Sequence, residues 1–135
     1  MDGALLDSLH ELTVADVMLA TPKTLSAQTT VAEARNQLAN SHVQMLLLTD
    51  GADFRGAVTG IPEDADPSAL ALRYSDPDAE TIAPTESAEA AYARTSRIPH
   101  RRMIVLDSEG ILRGLVCLNP RCTGFCTGRG DDNCR

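Results

Sequence analysis

The chain has 135 residues, a net charge of −7 and few aromatics: two Phe, two Tyr and no Trp. Its length suits one domain, or two small halves sharing a core, without metal or disulfide staples. The negative balance excludes a general nucleic-acid binder, which needs a basic face for phosphates and rings for stacking, and no stretch approaches the roughly 20 apolar residues of a membrane span.

Residues 1–12, "MDGALLDSLHEL", are acidic and amphipathic, a helical segment with neither the basic start nor the apolar stretch of a signal peptide. We therefore expect a cytoplasmic protein whose four cysteines stay reduced. Thr13 caps a short helix carrying Val14, Val17 and Met18. A short strand follows near Thr24. Thr30 and Glu33 then form a capping-box pattern, with Val31, Ala34 and Leu38 on one helix face. Apolar runs predict strands at 45–49 and 54–59, joined by a turn at Asp50-Gly51. A helix is expected from Pro67, with Asp66 as its cap. Ser87 caps an Ala-rich helix to about Arg97, and strands at 102–107 and 111–118 flank a turn at Glu109-Gly110.

This order is written twice. "MLLLTDGADFRGAVT" from Met45 lies over "MIVLDSEGILRGLVC" from Met103 without a gap, Gly56 over Gly114, an offset of 58 residues. Upstream, "TLSAQTTVAEA" from Thr24 lies over "TIAPTESAEA" from Thr81 with one residue of slippage.

"ADVMLATPKTLSAQTTVAEARNQLANSHVQMLLLTDGADFRGAVTG", with its "DVM" opening and closing Gly-x-Val-Thr, resembles a CBS domain, and residues from about 76 to 119 resemble a second. The resemblance implies an α/β fold of two tandem β-α-β-β-α repeats related by pseudo-twofold symmetry, a Bateman module. The repeats would span 13–75 and 76–119, with a Cys/Gly-rich tail at 120–135.

In this family a strand-end Thr or Ser, followed three residues later by Asp, commonly holds the sugar of an adenine nucleotide. Here the first copy supplies Thr59, but the acid position is Pro62, with Glu63 and Asp64 just beyond. The second copy has Cys117 and Pro120, a poor hydrogen-bonding thiol and no acid. Arg101 and Arg102 precede the second copy's long strand, where some members use basic residues against phosphates. The same positions in the first copy are Val43 and Gln44. The expectation is one composite site: Thr59 and Asp64 on the nucleoside, Arg101 and Arg102 on the phosphates, the backbone at Thr24 and Leu25 against the base. The competing reading makes Thr59 a β-branched strand residue and the arginines a solvated strand start.

Cys122, Cys126 and Cys134 stand in a Gly-, Thr- and Asp-rich tail spaced C-x3-C-x7-C, without the paired knuckles of a zinc site. Three readings stay open: a disordered extension with incidental thiols, a thiol or disulfide redox element, and a metal clip on those three cysteines. An acidic stretch holds Asp64, Asp66, Asp76 and Asp78. It reads as a solvated linker rather than an ion site, because it lacks an ordered loop pattern.

No motif supplies a nucleophile with its base, or a phosphate loop. The expected function is therefore non-catalytic: a regulatory, ligand-sensing CBS pair, homodimeric through its helices. It would require no cofactor, take AMP, ADP or ATP as ligand, and be read by an effector protein the sequence does not name. The alternative is a dimeric scaffold whose Cys-rich tail binds metal or acts as a thiol redox element.

Overall fold

The computed structural model describes residues 11–40, 43, 45–99, 101–118 and 125. They form two compact units. One is continuous, Lys23–Ala79; the other joins the chain up to Pro22 with the chain from Glu80 on.

The continuous unit begins with β1 (Thr24–Ser26). Next comes α2 (Val31–Leu38), then the hairpin strands β2 (Leu46–Asp50) and β3 (Asp53–Val58). The sheet order is β1-β2-β3, β1 parallel and β3 antiparallel to β2. A β-strand that returns in parallel needs a crossover, and α2 supplies it. The predicted capping box is present: Glu33 N–H donates to Thr30 Oγ1 (3.3 Å), and Thr30 N–H donates to Glu33 Oε1 (3.0 Å). Those two bonds satisfy donors that a helix start otherwise leaves orphaned. Ala34 on α2 packs with Leu46, Leu48, Val58 and Ala71 as the core.

The second unit repeats the plan. β4 (Thr81–Ile82), α3 (Ala88–Thr95), β5 (Arg102–Leu106) and β6 (Leu112–Cys117) give a sheet of order β4-β5-β6 with the same parallel and antiparallel pairings. Ser87 Oγ accepts from Ala90 N–H at 3.1 Å, so Ser87 caps α3 as expected. Ahead of the first repeat, α1 (Val14–Val17) packs into this second unit. Val14, fully buried, shares a core with Ile82, Ala91, Ile98, Met103, Val105 and Val116.

Strand pairing corrects two expectations. Leu46 pairs with Val58, and Met103 with Val116. The counterpart of Met103 is thus Leu46, not Met45, and the offset is 57 residues through β2/β5 but 58 through β3/β6. The extra residue lies in the second hairpin's turn: Thr49 faces Phe54, whereas Leu106 faces Leu112. A gapless alignment would turn every β5 side chain to the wrong face, because strand side chains alternate. The counterparts of Arg101 and Arg102 accordingly become Gln44 and Met45.

The helix expected from Pro67 is absent. Asp66 Oδ1 instead accepts from Ser68 N–H (2.9 Å) and Ser68 Oγ (2.8 Å), closing a turn, and a 3₁₀ helix follows at Ala71–Tyr74. An Asp side chain that bonds two residues on competes with helix formation.

Candidate functional site

In the continuous unit a cavity of about 370 Å³ is lined by Arg35, Leu38, Ala39, Val43, Thr59, Gly60 and Ile61. Its wall is the C-terminal half of α2; its floor is the chain leaving β3. Thr59 follows the last β3 residue, Val58, and is exposed. The helix contributes the long side chains because Arg35 and Leu38 lie three residues apart and share a face. Leu38, Val43 and Ile61 also pack on the core, which roots the apolar side of the cavity.

Arg35 extends across the loop beyond Ile61. Its Nη2 donates to the carbonyls of Pro62 and Glu63, the latter at 2.8 Å. That loop carries the position where the family pattern has its acid. The backbone is held there by a cation, and Asp64, exposed in the turn that follows, is not among the lining residues. Thr24 is exposed on β1; Leu25 is partly buried against the core. The structure therefore brings Thr59 into a cavity, while Asp64, Thr24 and Leu25 belong to the same unit outside its lining.

The sequence reading missed Arg35, Leu38, Val43 and Ile61. Arg35 was findable: it borders the Val31–Ala34–Leu38 stripe, so it stands at the edge of the buried helix face.

Arg101 and Arg102 belong to the other unit. Arg101 has φ of 55°, in the left-handed region that a non-glycine residue rarely adopts. Its backbone is pinned there by Arg101 N–H donating to Ile98 (2.9 Å) and Leu118 N–H donating to Arg101 (3.0 Å). Arg102 opens β5 opposite Cys117.

Cys117 is buried, 7% exposed, and disulfide-bonded. This corrects the expectation that all four cysteines stay reduced. Cys122, Cys126 and Cys134, the residues of the metal-clip reading, lie outside the described residues. Among the described residues no group of three or more His, Cys, Asp or Glu is placed to hold a metal ion. The acidic stretch acts locally: Asp66 is held below the usual carboxylate range by the Ser68 N–H and hydroxyl, and Asp76 Oδ1 accepts from Asp78 N–H at 2.8 Å. No helix among the described residues is long and apolar enough to cross a membrane.

No protein-family model matches the chain, and no curated protein does. Solved structures do match. The CBS-pair protein CBSX2 from Arabidopsis thaliana superposes with a TM-score of 0.65 at 18% identity, over 78% of this chain and 88% of its own. A CBSX2 structure in complex with AMP gives 0.65 at 20% identity, over 78% and 90%. The cystathionine beta-synthase pair domain of a putative Mg2+ transporter from Shewanella oneidensis gives 0.67 at 18%, over 84% and 70%. The chain has the fold of a tandem CBS-domain pair. In this CBS pair the two repeats are the two sheets, each with its crossover helix, and the described cavity lies within the first.

Proposed function

We propose that this CBS pair is a non-catalytic, ligand-sensing protein that binds an adenine nucleotide at Thr59. The observation that carries the reading is the cavity itself: a threonine hydroxyl beside Gly60 at a strand end, apolar walls from Leu38, Val43 and Ile61, and a guanidinium at the rim. Such sites are mostly apolar with a few placed polar groups. The AMP complex of a protein with the same fold supports the nucleotide class. Thr59 would bond the sugar-phosphate and the nearby Asp64 the ribose hydroxyls. The backbone of Thr24 and Leu25 would meet the base. Arg101 and Arg102 are the proposed phosphate cations, since charge-assisted bonds to phosphate are the strong ones. A homodimer read by an effector protein would turn binding into a population shift, limited by the ligand's differential affinity for the two arrangements.

Thermal unfolding with AMP, ADP, ATP and GTP tests the reading. At one hundred times its dissociation constant a ligand adds about 2.7 kcal/mol to native stability, which raises the melting temperature by several degrees. Thr59→Ala removes a hydroxyl bond and should weaken binding about tenfold, roughly the worth of one such bond. Equal melting shifts for the wild type and Thr59→Ala would remove Thr59 from the site.

The scaffold reading is favoured by one observation, the Cys117 disulfide, and only in its redox form.

A further inference from the structure

Among the described residues that line the cavity beside Thr59, Arg35 alone carries a charge. It stands on α2 and is half-buried. Arg55, Arg94 and Arg113 lie against acids: Asp50 at 3.5 Å, Glu80 at 3.6 Å and Asp107 at 4.0 Å. Arg35 is held differently. Its Nη2 donates to the carbonyls of Pro62 and Glu63, and no carboxylate among the described residues pairs with it.

Those carbonyls are neutral, so they fix the guanidinium without cancelling its charge. A guanidinium has five N–H donors, and Nη2 carries only two of them. The donors on Nη1 and Nε have no partner among the described residues. A cation already fixed in place loses little further freedom on binding, and its bonds to an anion are of the strong, charge-assisted kind. The floor of the cavity adds neutral polar groups. Thr59 is exposed at the end of β3, and a Cβ on Gly60 would meet no atom within 4 Å, so a ligand can approach the backbone there. At about 370 Å³ the cavity suits one small molecule.

We propose that Arg35 is the phosphate-selecting residue of this cavity, contacting the phosphate of a nucleoside monophosphate whose sugar lies at Thr59. The inference rests on the nucleotide reading and deepens it. Arg35 belongs to the same unit and the same cavity as Thr59, whereas Arg101 and Arg102 belong to the other unit. It also sets the two repeats apart. The 57-residue offset along the helices carries Arg35 onto Tyr92, a neutral ring in place of a cation. The second repeat, with Cys117 at the position of Thr59, lacks both groups.

Calorimetric titration of the full chain with AMP and with adenosine tests the assignment, in the wild type and in Arg35→Gln. The variant should bind AMP about tenfold more weakly, the size of one charge-assisted bond at a half-buried site, and adenosine as the wild type does. An equal loss for both ligands overturns the assignment, because it marks a role in holding the loop at Pro62 and Glu63 instead. Unchanged AMP binding overturns it too, and leaves the nucleotide reading with Arg101 and Arg102. A wild type that binds neither ligand sinks the nucleotide reading itself, and this inference with it.

A second measurement needs no variant. Phenylglyoxal modifies accessible guanidinium groups, and peptide mass spectrometry reads the product at residue 35. Saturating AMP should slow modification of Arg35, and saturating adenosine should not. Modification at the same rate with and without AMP overturns the contact. Equal protection by adenosine overturns it as well, because it marks shielding by the nucleoside rather than a bond to phosphate.

Discussion

Arg-Gly occurs at 55–56 and again at 113–114, and its two residues do separate jobs. Each arginine reaches an acid of its own hairpin, Arg55 to Asp50 at 3.5 Å and Arg113 to Asp107 at 4.0 Å. These pairs are largely exposed and contribute little. Each glycine lets another segment lie against the strand. A Cβ on Gly56 would meet Leu72 Cδ1 and Ser75 Cβ at 2.9 Å; on Gly114 it would meet Met18 Sδ at 2.6 Å and the Leu19 carbonyl oxygen at 2.7 Å. Side-chain ends can move, but Leu19 is tied to Leu115 by two backbone hydrogen bonds of 2.8 and 3.0 Å. Gly114→Ala should therefore cost about 2–3 kcal/mol and Gly56→Ala nearer 1, the range of overpacking. Urea unfolding of the two variants checks the ranking. Thr95 offers the opposite change. Its buried hydroxyl has no partner among the described residues, a standing cost, so Thr95→Val, nearly the same shape, should raise stability by about 1 kcal/mol in the same measurement.

Among the elements, α1 and α2 begin on matched acid pairs. Asp16 accepts from Thr13 N–H at 2.8 Å, and Glu33 from Thr30 N–H at 3.0 Å; the backbone bond is the larger cause that holds each carboxyl below its ordinary range, the threonine hydroxyl the second. A carboxyl whose folded pKa lies below its unfolded value adds stability that is complete above the unfolded pKa. That stability is lost as pH falls through the folded one. Thermal melts taken downward from about pH 5 should lose stability below about pH 4, the ordinary carboxylate range. Glu33→Gln should flatten part of that slope while lowering stability at neutral pH. A slope identical to wild type would show that this pair contributes nothing. Helix α3 has Ala90 where α2 has Glu33, so Ser87 caps it without the reciprocal carboxylate bond. The caps were legible because they need only residues three apart. The hairpin register was not, because letter identity favoured Met45 over Leu46, while the pairing obeys the core face and a longer turn. Nor was the turn at Asp66: the Asp-Pro pair suits a helix start and an Asp turn equally, and packing of the 3₁₀ segment against β3 at Gly56 decided it.

Across the whole chain, each repeat is completed by a segment that precedes the other. Thr13 bridges Ser87 ahead of α3, and Leu70 bridges Thr30 ahead of α2, again 57 residues apart. The same holds one turn later: Leu19 N–H donates to Leu115 and Asp76 N–H to Ala57, both bonds closing over the strand glycines. Val14 is the deepest residue of the crossing segment. Val14→Ala should cost about 2 kcal/mol, as buried large-to-small changes do. Hydrogen exchange should show the loss in 81–118 and not in 46–58. A loss confined to 24–58 would place Val14 in the wrong unit. By itself the sequence determined the duplication, the caps, the strands and the resemblance to a CBS pair, because these rest on residues near one another or on letters compared in order. The tertiary structure alone decided the true register, the cavity joining Arg35 to Thr59, the unit to which α1 belongs, and the return of Phe125 to Leu118. Those are contacts between distant residues, set by which faces are buried together, and no local pattern encodes them.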